Sequence, residues 1–395
     1  MVELNRGNNH NLQKTSLQSA SGGNTVACLP DDDKLAVYIH FPYCKTRCPY
    51  CDFFRSILPK SFDENALIQR YLADIAYFTD LFPQKQSVKS IFFGGGTPSL
   101  LSPQAIDVVL NELQKKFNVA HHVEISLEAN PNTFERDKFL AFHHLGVNRL
   151  SLGVQALDDF DLKKLGRSHS LSDALAAMEL AAKTFPKFSI DLIYARPGQQ
   201  WDNWQREIDT ALQFDLSHIS LYELSIEEGT PFYRKNVQPM DEENSLSLYN
   251  NTVSYLRSLG FQRYEVSNFA KSTSAQSIHN LTYWQGGDYL GIGEGAHGRL
   301  RLNGQIFATL DGQLAENLSP YERALELLLM GLRIEDGLCE NRFFNACGLH
   351  LFDFLSKKMT KRLAHLNLLC YDDANIKLTD KGFTLLDEII LELVS

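Results

Sequence analysis

No stretch of this 395-residue chain approaches the roughly 20 consecutive apolar residues of a membrane-spanning helix, so any membrane contact is expected to be peripheral. An excess of positive charge is missing too. Lys and Arg number 38 against 48 Asp and Glu, a formal net charge of −10. Broad nucleic-acid binding needs clustered cations against phosphate, so that class is excluded. The N-terminus has neither the apolar core of a secretory signal nor the Arg-rich, acid-poor character of a transit peptide. Residues 1–33 are rich in Asn, Gln, Ser and Gly and run into "DDDK", which reads as a disordered leader. With no export signal, a cytoplasmic location is expected. The seven cysteines then read as reduced thiols or metal ligands, not a disulfide framework. Four of them, Cys28, Cys339, Cys347 and Cys370, are scattered and read as spare or buried thiols.

What is present is apolar material for a sizeable core, with 44% hydrophobic and 22% charged residues. From about residue 35, short apolar runs alternate with amphipathic stretches. The runs "LAVYIHF", "VKSIFFGGG", "HVEISLEAN", "VNRLSLGVQ", "FSIDLIYARPG" and "HISLYELSI" read as strands nearly continuous in Val, Ile, Leu and Phe, as when both faces are covered. Helical patterns such as "DENALIQRYLADIAYF" and "SPQAIDVVLNELQKKF" lie between them. Six βα units predict an α/β fold with a parallel sheet closed or partly closed into a barrel over 34–270; an open doubly wound sheet is the alternative. Residues 271–317 read as a loop-rich segment dense in Gly, His and aromatics. Residues 318–395 read as a small, mostly helical, winged-helix-like domain.

The first strand runs straight into "FPYCKTRCPYC", with Cys44, Cys48 and Cys51 spaced Cys-x3-Cys-x2-Cys. In such a barrel the C-terminal strand ends carry function. Thiolates suit zinc or an iron–sulfur cluster. Zinc wants four protein ligands, and only His40 is near enough to be the fourth. A [4Fe–4S] cluster held by three cysteines leaves one iron for a small molecule. "FFGGGTPS" after the second strand lets backbone approach a ligand closely. Glu128, Gln155 and Asp191 stand at successive strand ends, where carboxylates and amides suit ribose hydroxyls and an ammonium group. Arg167 suits a carboxylate.

The cysteine spacing after a first strand, with aromatic Tyr50 before the last cysteine, resembles the signature of the radical S-adenosylmethionine (SAM) superfamily. The resemblance implies a partial (β/α)6 barrel and a [4Fe–4S] cluster on Cys44, Cys48 and Cys51, with SAM chelating the fourth iron. It implies a SAM pocket of Tyr38, Tyr50, Gly95, Gly96, Thr97, Glu128, Gln155, Arg167 and Asp191.

The set "YIHFPYC", "FFGGGTPS", "SLEANP", "NRLSLGVQ", "DLIYARPGQ", "YEVSNFA" and "HNLTYWQGGDYLGIGEGAHG" is similar to one group within that superfamily. It comprises oxygen-independent coproporphyrinogen III dehydrogenases and related haem chaperones. The dehydrogenases carry a further cysteine where this chain has Phe53, and they have a longer N-terminal extension. "HNLTYW" matches the HNxxYW motif of the chaperones. That branch implies haem as a third cofactor, with His279, Asn280, Tyr283 and Trp284 at its site. A histidine can ligate the iron while aromatic rings wall the macrocycle; the same segment could instead simply dock its loop on the barrel. His297 in "GEGAHG" is a second candidate, although Glu294 replaces the proline usual there. Implied partners are haem-requiring acceptors, respiratory ones among them, an electron donor and a second copy in a homodimer. The competing expectation is radical decarboxylation of a porphyrinogen.

Overall fold

The structure, a computed structural model, describes residues 34–133 and 136–394. The expected leader and Cys28 lie outside the described residues. Six strands carry the architecture: β1 (Leu35–Phe41), β2 (Ser87–Gly95), β3 (Asn118–Ala129), β4 (Arg149–Gln155), β5 (Lys187–Tyr194) and β6 (His218–Glu223). They pair in chain order, each parallel to the next. Parallel neighbours need long crossovers, and helices supply them. Glu64–Leu81, Pro103–Lys116 and Leu171–Thr184 begin at Asp63, Ser102 and Ser170, whose side chains accept from the backbone N–H of Ala66, Ala105 and Asp173.

The strands are not apolar on both faces. Val37, Ile39, Ile91, Phe93, Ile125, Leu127, Leu150, Leu152, Ile190, Leu192, Ile219 and Leu221 are buried in the main hydrophobic core. Their alternating neighbours line one internal chamber, to which all six strands contribute: Tyr38 and His40, Phe92, Ser126 and Glu128, Arg149 and Ser151, Ser189 and Asp191, His218, Ser220 and Tyr222. The period of two is what a curled sheet with a dry outside and a polar inside requires.

The barrel does not close. Tyr289–Ile292 adds to the free edge of β1, also in parallel, and leads into an antiparallel meander of His297–Leu302, Gln305–Leu310 and Gln313–Leu318. At the other edge Asn268–Ala270 pairs antiparallel with β6, and Gln262–Arg263 follows it. The result is a mixed sheet of 12 strands. Where the sequence reads as loop, residues 271–317 hold these four strands and the helix Ile278–Trp284. The hairpin turns are Asn303-Gly304 and Asp311-Gly312, all four residues at positive φ, which matches the twist of two-residue hairpins.

Helices Pro320–Gly331, Glu340–Cys347, Lys357–His365 and Leu386–Leu393 pack with a small three-stranded sheet around a separate core that includes Leu328, Phe343, Leu369, Ile376 and Ile390. This C-terminal part contacts the sheet at two places. On one side Arg323 donates to the Gly286 carbonyl at 2.7 Å, and Arg299 pairs with Glu326 at 2.6 Å. On the other, Arg263 pairs with Glu335 at 2.8 Å and Asp380 at 3.1 Å, donates to Tyr249 Oη at 2.6 Å and lies 3.6 Å from the Phe383 ring centroid. Among the described residues no helix is long and apolar enough to cross a membrane.

Arg263 is buried while its acidic partners reach solvent, so Arg263→Met should cost about 1–3 kcal/mol through lost charge-assisted bonds. Urea unfolding would measure this, and limited proteolysis should release the C-terminal part earlier in the variant. Parental behaviour in both would refute the latch.

Candidate functional site

The cysteine loop leaves β1 at Phe41 and is braced against the end of β2. The Gly96 N–H donates to the Phe41 carbonyl at 2.7 Å and the Thr97 N–H to the Tyr43 carbonyl at 2.9 Å. A Cβ on Gly96 would stand 2.4 Å from the Tyr43 carbonyl oxygen, and one on Gly95, at φ +108°, 2.6 Å from the His40 ring. These glycines therefore admit the protein's own loop as well as bordering the cavity. Gly166 does the same opposite Pro49, where a Cβ would meet the proline ring at 2.5 Å.

Cys44, Cys48 and Cys51 open into a cavity of about 290 Å³. Tyr50, Gly95, Gly96, Thr97, Glu128, Gln155, Arg167 and Asp191 line the same space, so eleven of the twelve residues expected around cluster and SAM converge. Tyr38 falls elsewhere. It shares the inward face of β1 with His40, hydrogen-bonds its Nδ1 at 2.9 Å and lines the larger chamber.

The wall is wired together. The Gly95 N–H donates to Glu128 at 3.1 Å, and Ser151 Oγ donates to both Asp191 oxygens at 3.0 and 3.2 Å. Arg167 reaches Cys48 Sγ at 3.2 Å and the Gly153 carbonyl at 2.9 Å, and also bonds Asn130. Asn130 in turn donates to Thr97 Oγ1 at 2.9 Å, and Thr97 reaches Cys44 Sγ at 3.5 Å. Gln155 ends β4 at φ +72°, a left-handed conformation that non-glycine residues adopt at strained sites. Sequence reasoning missed Asn130, Ser151, Tyr222 and Arg55. Asn130 was findable, two residues after Glu128 in "EANP". Arg55, which donates to the Cys48 and Cys51 carbonyls at 3.2 and 3.0 Å, carries no motif signal.

Burial pushes Glu128 up to about 8, helped by the Asp191 charge and opposed by the Gly95 N–H. Burial likewise lifts Asp191 to about 6, against the Ser220 and Ser151 hydroxyls. Two recessed carboxyls that resist ionising are prepared for hydroxyl or cationic partners.

The larger chamber, about 560 Å³, adjoins the first and shares Phe53, Gly95, Glu128, Ser151, Asp191 and Tyr222 with it. His279, Asn280, Tyr283 and His297 line it; Trp284 does not. Trp284 sits five residues beyond His279, roughly 140° round the helix, and packs 4.9 Å from the Tyr283 ring. His279 is buried, stacked on Phe92 at 4.9 Å, with Ser90 Oγ 3.2 Å from Nδ1. Burial first and Lys89 second push its pKa down to about 3, so the ring is neutral. His297 is exposed at the rim. Glu294, in place of proline, forms a surface ion pair with Arg70 at 3.2 Å.

The profile of the Radical SAM superfamily matches residues 38–211, and that of the HemN C-terminal domain residues 318–385. Radical S-adenosyl methionine domain-containing protein 1, mitochondrial, of Bos taurus is 37% identical over 394 residues, covering 93% of this chain and 88% of the relative. Heme chaperone HemW of Escherichia coli (strain K12) is 37% identical over 278 residues, covering 70% and 73%. The chain belongs to the HemW family of the radical SAM superfamily. The solved coproporphyrinogen III oxidase (HemN) of Escherichia coli shares the fold, with a TM-score of 0.76 at 19% identity over 92% of this chain and 91% of that one.

The HemW-family cavity fits the group its superfamily implies. Among the described residues Arg167 Nε is buried with no hydrogen-bond partner. Burial raises the Cys44 and Cys51 thiols, only partly offset by Thr97 on Cys44, by the Phe53 backbone on Cys51 and by Arg55 on both, so a cationic cluster is what would turn them into thiolates.

Replacing Cys44, Cys48 or Cys51 by Ser should abolish iron and sulfide uptake on anaerobic reconstitution, whereas Cys347→Ser should not; retention in any of the three would remove that ligand. Glu128 predicts a pH effect. Its folded pKa of about 8 lies above the ordinary 4.5, so the stability it contributes is present in acid and lost as pH rises through 8. Glu128→Gln should flatten the decline of ligand-free stability between these values, read from urea midpoints. An unchanged slope would show that Glu128 ionises normally.

Proposed function

We propose that this HemW-family chain is a haem chaperone: it binds haem together with a [4Fe–4S] cluster and SAM and passes the haem to acceptor proteins. The observation that carries the reading is the identity of 37–38% to heme chaperones HemW over about 70% of the chain. Phe53 supports it. Where the dehydrogenase branch has a cysteine, this chain has an exposed aromatic ring that borders both cavities.

Cys44, Cys48 and Cys51 would hold the cluster, which when bound supplies one-electron chemistry towards SAM. Glu128, Asp191, Ser151 and Gln155 would receive the hydroxyls and ammonium of SAM, and Arg167 with Asn130 its carboxylate. The larger chamber has rings of Tyr38, Phe92, Tyr283 and Tyr289 for a flat macrocycle and the neutral imidazole of His279 for its iron. Phe53 stands where one occupant meets the other. Partners in this reading are respiratory and other haem-requiring acceptors, an electron donor, a second copy in a homodimer and peripherally the membrane. The compartment is the cytoplasm, while relatives named mitochondrial occupy another.

The test is an anaerobic haem titration of the cluster-reconstituted protein, followed at the Soret band. One haem per chain should bind saturably, and His279→Ala should weaken it by about tenfold or more. Because protonation of His279 competes only near pH 3, binding through it should stay flat from pH 5 to 8. Saturable binding untouched by His279→Ala but lost in His297→Ala would move the ligand to the rim. Absence of saturable binding, with porphyrinogen turnover in its place, would overturn the chaperone reading.

A further inference from the structure

Four consecutive residues leading into the Ile278–Trp284 helix are held by side chains of the barrel interior. The Ala275 and Gln276 carbonyls accept from Arg149 Nη2 at 2.6 and 2.8 Å. The Ser277 N–H donates to Tyr264 Oη at 3.2 Å, and the Ile278 N–H donates to Glu124 Oε1 at 2.8 Å. The holders are themselves held. Arg149 Nε donates to Glu124 Oε2 at 3.0 Å, and Lys187 Nζ approaches the same oxygen at 3.4 Å. His218 Nε2 lies 2.8 Å from Tyr264 Oη, and its Nδ1 lies 2.7 Å from Ser189 Oγ. Strands β3, β4, β5 and β6 each contribute a member.

Glu124, Arg149, His218 and Tyr264 are all buried. Withdrawing two opposite charges from water is costly, and apolar groups of the same shape often serve stability as well. What apolar groups cannot do is name one position for four backbone dipoles. The segment so fixed begins the helix that presents His279 one residue later. Ser277 Oγ then accepts the Asn280 N–H at 3.3 Å and carries the register into the first turn.

We propose that Glu124, Arg149 and Tyr264 are positioning residues, which fix the start of this helix and so set where His279 and Asn280 stand in the larger chamber. The inference rests on the haem reading for the ligand's identity, but the positioning itself does not depend on it. None of the three touches the cluster cavity. Their removal should therefore act on the larger chamber and spare SAM.

The experiment compares the reconstituted parent with Tyr264→Phe, which deletes one hydroxyl, and with the double variant Glu124→Gln/Arg149→Gln, which leaves no buried charge unpaired between these two. Hydrogen exchange of the 277–284 amides reports positioning without any ligand; haem titration and the Soret maximum report its consequence; SAM binding is the control. Both variants should exchange faster over 277–284, bind haem about tenfold or more weakly with a shifted Soret band, and keep SAM affinity within about twofold. Parental exchange in Tyr264→Phe would overturn the proposal, and that variant decides it should the double variant fail to fold. Faster exchange with parental haem affinity and spectrum would overturn the link to His279. If the parent itself binds no haem saturably, the chaperone reading fails, while the exchange data still decide the positioning.

Discussion

Everything at the site depends on how closely the loop after β1 can approach the end of β2. A side chain at Gly96 would collide with the Tyr43 backbone and one at Gly95 with His40, so only glycine allows the two hydrogen bonds that seat the loop. With that seam formed, Cys44 comes within reach of Thr97, and Cys48 within reach of Arg167 from a crossover two strands further on. Pro49 against Gly166 closes the third side. The three thiols are thus aimed into one cavity by contacts within the chain itself.

The second constraint is electrostatic. A sheet curled with its apolar face outward leaves polar and ionisable side chains pointing into a space of limited solvent access. Such groups must be paired or shift towards neutrality. Both solutions occur within a few residues on the same strand. Glu124, at the bottom of β3, is ion-paired to Arg149, whereas Glu128, four residues higher, is lifted towards its neutral form. The paired group holds a helix and the unpaired one faces the ligand space. Position along one strand separates scaffold from site.

The C-terminal part completes the chamber's surroundings without lining the cluster cavity. Its arginine-mediated contacts fall at Arg263, on the edge strand Gln262–Arg263, and at Gly286, just before Tyr289–Ile292.

The six strands and the residues at their C-terminal ends were legible because apolar runs, glycines and cysteines have local signatures; their order was not, since an open doubly wound sheet has the same periodicity. The meeting of Cys44, Cys48 and Cys51 at one cavity was legible too, since their spacing needs only one loop. Some local signals were present and went unread: Asn303-Gly304 and Asp311-Gly312 are hairpin turns in plain view, and the alternation of Ser126, Ser189 and Ser220 with apolar neighbours marks an inward polar face. Other features have no local signal. That Tyr38 turns towards His279 and away from SAM's expected neighbours, and that Glu124 and Arg149 meet the backbone of residues 275–278, depend on pairs more than a hundred residues apart. Arg55 clasps the cysteine loop from only a few residues away, but no motif marks it. Sequence by itself determined which chemistry the chain can carry, since residue type and spacing decide what a loop can ligate. Tertiary structure alone decided which side chains share a cavity, because that follows from where the curled strands bring distant residues and how much water they leave between them.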